Sequence, residues 1–365
     1  MNLYIAGGCN EHGRNSFLIT GDSYSILVDC GAIEDDSYCY PYLTKQQIQS
    51  IQFLFLTHSH KDHAGAVNWL IGNGFQGIII CSEETRQQSL IKYSQWQILS
   101  LPVQNYNRFT ISDNLYVTYG KSGHCVGSLW YLLNFENKSI LFSGDYSEES
   151  SIYKCDKLSG LYADFAVLDC GGGNTSFDNQ DNRTAIRSFV LESIKNNKIV
   201  LLPVPKYGRG TEIIDLFQDE CEELSIYLDE ILACQMTKQY KSWYKKTFSI
   251  PINLLNNWNG VPAVLFASDA QLSNDCTQAL ANKVIGLKGD IVFTGHIYKN
   301  TYSDFLIRNN MANVLDYPVH MGYSQVVKIL KKNSFRKVIL YHSPEKIENN
   351  RESVVEATVR SKLSI

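Results

Sequence analysis

The chain has 365 residues, 44% of them hydrophobic and 19% charged, so it can build one large core or two ordinary ones and is not disordered by composition. A formal net charge of −4 and a pI of about 6.1 argue against indiscriminate nucleic-acid binding, which favours basic chains, and leave room only for a local basic cleft. No basic-then-apolar leader opens the chain, no stretch approaches the roughly 18 apolar residues of a membrane span, and the ten cysteines include no C-x-x-C pair; a cytoplasmic protein with reduced thiols and no membrane contact is expected.

The first third reads as short strands: Asn2–Ala6, Ser16–Thr20 and Ser25–Asp29, the last two joined by a Gly21-Asp22 turn. Gln52–Leu56 and Gly77–Cys81 are apolar runs that suit buried strands, and Ala64–Ile71 has helical spacing ended by Gly72. Leu129–Phe135 and Ser139–Phe142 form a hairpin across Glu136-Asn137-Lys138, and Phe165–Leu168 is a further buried strand. The texture changes after Gly171-Gly172-Gly173-Asn174. Helical spacing over Arg183–Asn196, Thr211–Cys221 and Ile231–Lys245 then alternates with strands at Lys198–Pro203, Leu224–Leu228, Ala263–Ala267 and Asp290–Thr294. Strand–helix alternation of this kind predicts a parallel α/β unit. A helix at Ser324–Leu330 and a strand at Lys337–Tyr341 close the pattern.

The densest chemical signal is Thr57-His58-Ser59-His60-Lys61-Asp62-His63, which brings three histidines and an aspartate together directly after a strand. Imidazole and carboxylate donors converging from a rigid support are what zinc requires. Alternate residues of an extended segment point the same way, so His58 and His60 can share one ion. Asp62 and His63, in the turn that follows, can reach a second. A polar loop at a strand end is the competing interpretation, and four donors at this spacing outweigh it. The chain has eight histidines in all. His124, in Ser122-Gly123-His124, precedes a strand, and Asp145, in Ser143-Gly144-Asp145, follows one; both are loop-edge positions suited to a ligand. His12 and His296 read as ordinary polar positions.

Leu27-Val28-Asp29-Cys30-Gly31, the His58–His63 block, Gly123-His124 and Ser143-Gly144-Asp145 resemble, in order and spacing, the metallo-β-lactamase superfamily. The resemblance implies that His58, His60 and His124 hold one zinc and Asp62 and His63 another. It implies that Asp145 bridges the two and that Asp29 orients ligands without binding metal. Further on, Ala166-Val167-Leu168-Asp169, then Pro318-Val319-His320-Met321-Gly322 and Leu340-Tyr341-His342-Ser343-Pro344 are similar in order to the acidic and two histidine motifs of the β-CASP family, which includes ribonuclease J and the endonuclease that cuts pre-mRNA 3′ ends. A histidine at the last of these motifs is typical of the family's RNA-processing members, and His342 would complete the second metal's shell.

The fold this implies is α+β: a four-layer αββα sandwich formed by residues 1–172 and 306–365, with an inserted α/β β-CASP domain at 173–305. The implied activity is zinc-dependent hydrolysis of a phosphodiester in RNA. It needs two Zn²⁺, with Mn²⁺ or Fe²⁺ suited to the same donors. Asp62, His320 and Asp169 are the expected catalytic groups, His320 as general acid with Asp169 holding its imidazolium. Lys206, Arg209 and Ser343 are candidate substrate contacts. The stretch Lys328, Lys331, Lys332, Arg336 and Lys337 suits either an RNA backbone or a solvated helix face. A departure at Cys170-Gly171-Gly172-Gly173-Asn174, where the family has a polar turn, lies on the substrate side. Two rivals remain: a hydrolase of a small ester, thioester or nucleotide on the same metal core, and a non-catalytic metal-binding scaffold subunit. An oligomer or protein partner is left open.

Overall fold

In the computed structural model, all residues are described except 35, 101–105, 175–178, 221–223, 249 and 349–350. The chain divides into two compact units, Met1–Glu148 with Lys154–Ser176 and Val319–Ile365, and Glu149–Tyr153 with Phe177–Pro318.

The first unit contains two sheets. One orders its strands as Lys362–Ser364, Asn2–Gly7, Ser16–Thr20, Ser25–Val28, Phe53–Phe55, Ile78–Cys81 and Trp96–Ile98. Its first four strands pair antiparallel and the rest parallel. The other runs Ser334–Tyr341, Tyr162–Asp169, Lys138–Phe142, Leu129–Phe135, Leu115–Lys121 and Asn107–Ser112, parallel over the first three and antiparallel after them.

Period-two alternation explains why several of these strands are apolar on both faces. Leu18, Leu27, Leu54 and Ile79 pack against Ile48, Val67 and Leu70 of the flanking helices Lys45–Ser50 and Val67–Gly72. Their neighbours Phe17 and Phe55 turn the other way: Phe17 meets Phe142 and Tyr341, and Phe55 meets Tyr131, across to the second sheet. On that sheet's far face Trp130, Leu141, Ala166 and Val338 pack with Val326 and Ile329 of the helix Tyr323–Lys332. The layers are therefore helix, sheet, sheet, helix.

The second unit is built on a six-stranded sheet in the order Asn253–Leu254, Ile226–Leu228, Val264–Ala267, Val200–Pro203, Asp290–Phe293 and Asn313–Val314, with every pairing parallel. Leu201, Leu265 and Ile291 pack with Ala281 and Val284 of the helix Asp275–Gly286 and with Leu306 of the helix Tyr302–Arg308.

The α+β class expected from the sequence is observed, with local differences. The helix expected at Ala64–Ile71 is two short ones, Lys61–Ala64 and Val67–Gly72. The helix expected to reach Lys245 is Glu230–Lys238, because Gln239 turns left-handed (φ 46°) and its amide binds the Met236 and Phe248 carbonyls. The expected helix Thr211–Cys221 is Arg209–Asp215, and Cys221 lies outside the described residues. Among the described residues no helix is long and apolar enough to cross a membrane.

Candidate metal centre

The strand Phe53–Phe55 leads through Leu56 to Thr57 and His58. His60 then caps the single-turn helix Lys61–Ala64, which turns Asp62 and His63 back toward His58. This turn is tied to the loop after Val28: Cys30 N–H donates to the His63 carbonyl at 2.8 Å and Ala32 N–H to that of Lys61 at 2.9 Å. Gly31 must be glycine here, because a Cβ on it would lie 1.6 Å from the Asp62 carbonyl oxygen. Asp29 itself takes the left-handed region (φ 58°), which an aspartate tolerates better than most residues.

His124 comes from the loop before Leu129–Phe135, Asp145 from the end of Lys138–Phe142, and Asp169 and His342 from the ends of the parallel strands Tyr162–Asp169 and Ser334–Tyr341. His342 is also left-handed (φ 70°) and donates its N–H to the Gly8 carbonyl at 2.8 Å. Three donor sets converge: His58, His60, His124 and Asp145; Asp62, His63, His342 and Asp145; and Asp145, Asp169, His320 and His342. The two oxygens of buried Asp145 separate the first two. Oδ2 lies 3.4 Å from His58 Nε2 and 3.3 Å from His124 Nε2, and Oδ1 lies 3.0 Å from His63 Nε2 and 3.6 Å from His342 Nδ1.

These spacings fit a divalent metal. Ligands about 2.0–2.1 Å from a tetrahedral zinc stand roughly 3.3 Å apart. Besides the Oδ2 contacts, His124 Nε2 lies 3.2 Å from His60 Nδ1. His58 Nε2, Asp145 Oδ2 and His342 Nδ1 are buried with no hydrogen-bond partner, which is costly unless something else occupies the shared space. The far nitrogens of the rings are anchored. His63 Nδ1 lies 2.7 Å from Asp29 Oδ2, His58 Nδ1 lies 3.1 Å from the Thr57 hydroxyl, and His124 Nδ1 lies 3.3 Å from the Val319 carbonyl. With a proton on each of these far nitrogens, Nε2 of the neutral ring is left to face the centre, the usual outer support of a metal-ligating histidine.

The charges sort along the same line. Burial drives His58 down to about 3 and His124 well below its ordinary value, so both are neutral. Burial also opposes charge on His63 and His342, yet the surrounding carboxylates, Asp145 foremost, hold His63 well above its ordinary value and His342 up to about 10. Asp62, Asp145 and Asp169 are held below the carboxylate range against the opposing effect of burial, chiefly by His63 for the first two and by His320 for Asp169. In the metal-free centre the charged form is therefore favoured at His63 and His342 and disfavoured at His58 and His124.

Asp169 is fixed by N–H groups from Tyr146 (3.1 Å) and Gly171 (2.9 Å), and His320 Nδ1 lies 3.3 Å from its Oδ2. His320 keeps 21% of its side chain exposed, against 2% or less for His58, His63 and His124. Two partners carry no signal in the sequence. Buried Asn15 puts its amide 2.8 Å from His63 Nε2 and 3.3 Å from Asp62 Oδ2, and the Tyr341 hydroxyl donates to Asp145 Oδ1 at 3.4 Å. Only the position of Tyr341, one residue before His342, hints at its role.

The three expected substrate contacts fall in different units, Ser343 in the first and Lys206 and Arg209 in the second. Ser343 uses its hydroxyl in a turn with the Glu345 backbone. In the second unit Lys206 is exposed. Arg209 is half-buried with its guanidinium against Gly295 and its Nε without a hydrogen-bond partner.

A helix–sheet–sheet–helix unit with a histidine–aspartate metal centre at its strand ends is the arrangement of the metallo-β-lactamases. The chain belongs to the metallo-β-lactamase superfamily, whose family model matches residues 9–201. Among named relatives it is similar to the probable RNase MJ4 of Methanocaldococcus jannaschii, 27% identical over 65% of this chain and 61% of that one. It is similar also to the transcription termination factor FttA of Methanosarcina mazei (22% identical, 62% of this chain and 41% of that one) and to the cleavage and polyadenylation specificity factor 73 of Drosophila melanogaster (19%, 93% and 59%). The chain thus spans less than two thirds of the length of each. A crystal structure of a protein of unknown function from Enterococcus faecalis V583 shares the fold, with a TM-score of 0.64, 12% identity and 99% of both chains covered.

Proposed function

We propose that the chain is a β-CASP-type ribonuclease, a two-zinc hydrolase of RNA phosphodiesters. The observation that carries this reading is the division of Asp145, whose two oxygens face two separate donor sets. In it His58, His60 and His124 hold one ion, and Asp62, His63 and His342 the other. Asp145 would offer one oxygen to each, and Asp29 orients His63. When bound, such a pair acidifies a water to serve as nucleophile near neutral pH and neutralises charge on the phosphate. The relatives named as an RNase and a cleavage factor support RNA as the substrate class, and the second unit has the parallel α/β form of the insertion that the β-CASP resemblance implies.

The third donor set shares Asp145 and His342 with the other two, so His320 is left over once both oxygens of Asp145 are engaged. Its exposed edge and its Asp169 contact suit a general acid: Asp169 stabilises the imidazolium, and the ring passes its proton to the leaving oxygen. Asp62, packed between His63 and His342, orients both rings. Ser343 in the first unit, and separately Lys206 and Arg209 in the second, are candidate substrate contacts.

The test is a time course on end-labelled single-stranded RNA and matched DNA with added zinc or manganese, with Asp62→Asn beside the wild type and metal content measured in both. Metal-dependent RNA cleavage lost in the variant is the expected result. Cleavage of neither polymer by zinc-loaded protein, with hydrolysis of a chromogenic ester, would transfer the chain to small-molecule hydrolases. Bound metal with no hydrolysis of any kind would make it a scaffold.

A further inference from the structure

The second half of the first unit concentrates positive charge in a chain that is acidic overall. Between Asp316 and Glu345 there is no aspartate or glutamate, yet this stretch holds Lys328, Lys331, Lys332, Arg336 and Lys337. The helix Tyr323–Lys332 buries Val326 and Ile329 and leaves Ser324, Lys328 and Lys331 exposed, at the i, i+4 and i+7 spacing that aligns them on one face. Arg336, exposed on the strand Ser334–Tyr341, shares the parity of Val338, which packs on the helix side of the sheet. Lys157 is brought alongside, because Asn333 donates to the Leu158 carbonyl and Gly160 N–H to that of Lys332.

Three carboxylates of this region, Glu148, Asp156 and Asp164, are already engaged. Glu148 meets Lys332 at 3.7 Å, Asp164 meets Lys138 at 3.8 Å and two hydroxyls, and Asp156 accepts the Lys121 N–H. Among the described residues Lys157, Lys328, Lys331 and Arg336 have no ion pair. The helix also has a direction. It begins three residues after His320, and at about 1.5 Å rise per residue Lys328 and Lys331 stand roughly 9 and 14 Å along it from Gly322.

We infer that this basic face is a track for the phosphate backbone of single-stranded RNA, running from the metal centre along the Tyr323–Lys332 helix. The inference rests on the ribonuclease reading for the identity of the polymer. Cations spaced along one helix face and left unpaired suit a flexible polyanion, whose binding releases condensed counterions and is therefore steep in salt. They carry no base recognition, so the track favours long substrates over short ones without choosing sequence.

The test is binding of a labelled, phosphorothioate-linked single-stranded RNA to the metal-loaded protein across a salt series. The variants are the triple substitution Lys328→Ala, Lys331→Ala, Arg336→Ala and a charge-matched control, Lys45→Ala, Lys92→Ala, Lys288→Ala, whose lysines are exposed elsewhere. At about 0.7 per phosphate contact, the slope of log K against log salt falls by about 2 in the track variant, and affinity near 0.1 M salt falls about 100-fold. Hydrolysis of bis(p-nitrophenyl) phosphate, too short to reach the helix, stays at the wild-type rate. Track and control variants that bind alike, or a wild type that does not bind RNA, would overturn the inference. Loss of diester hydrolysis by the wild type would instead strike at the ribonuclease reading, since the binding series does not depend on turnover.

Discussion

Metal loading of this centre should release protons from the imidazoles that its carboxylates favour in the charged form. In the metal-free chain His63 is held well above its ordinary value and His342 up to about 10 by the carboxylates around them, while His58 and His124 are neutral. Both imidazolium ions belong to the donor set of Asp62, His63, His342 and Asp145. A metal ligand must be unprotonated, so filling that set displaces about two protons at any pH well below the raised values. The sign follows directly. Lower pH favours the protonated, metal-free form, so the affinity of that set rises about 100-fold per pH unit from about pH 6.5 to 8. His58 and His124, held neutral by burial, add nothing to that release. The same raised value means that His342 stabilises the metal-free fold fully below its unfolded value near 6.5 and loses that contribution as pH rises through about 10. Zinc titration calorimetry in two buffers of different ionisation enthalpy counts the protons. Release of less than about half a proton over both sites would refute the argument, because it would mean that no imidazolium balances the aspartates.

Three further outcomes follow from the same geometry. His320→Ala should lower kcat by about 10²- to 10⁴-fold with metal content unchanged, whereas His124→Ala should lose metal; elemental analysis beside turnover separates the two. Asp29→Ala removes the carboxylate 2.7 Å from His63 Nδ1 and should weaken metal binding about 10- to 100-fold, read by competition with a chromophoric chelator. Gly31→Ala forces a methyl onto the Asp62 carbonyl and should cost about 1–3 kcal/mol in denaturant unfolding, together with loss of metal from the Asp62–His63 set; an unperturbed variant would show that the turn has room to move.

The donors were legible because the sequence supplies them in one dense block and because period two fixes what an extended segment can present: His58 and His60 alternate, and the single-turn helix after them returns Asp62 and His63. The partners of that block were less legible. Nothing local marks Asn15, and only its place before His342 marks Tyr341, since each becomes part of the centre through contacts across long stretches of chain. The sheets that carry the site were read in part. Strand patterns give Ser16–Thr20, Ser25–Asp29 (one residue longer than the observed Ser25–Val28) and Leu129–Phe135, but Asn107–Ser112 and Leu115–Lys121 mix polar with apolar residues and lack a clean signal. Helices ended by side-chain chemistry, such as the Gln239 amide bonds, ran too long in a reading based on spacing alone.

The return from the second unit to the first shows why boundaries resist such a reading. The change of texture suggested a break near residue 306, yet Tyr302–Arg308 packs Leu306 into the second unit's core and Asn313–Val314 pairs with Asp290–Phe293. Tyr317 then donates its hydroxyl to Glu212 at 2.7 Å within that same unit. Val319, one residue before His320, is the first residue of the returning segment that belongs to the first unit. A residue assigned to proton transfer thus stands at the crossing point of the chain, where its backbone is restrained on the far side by the Met321 N–H contact to Asp169 at 3.4 Å. Composition cannot reveal that arrangement, because Pro318-Val319-His320 is neither more polar nor more flexible in sequence than the residues around it; it follows from which sheet each neighbouring segment joins.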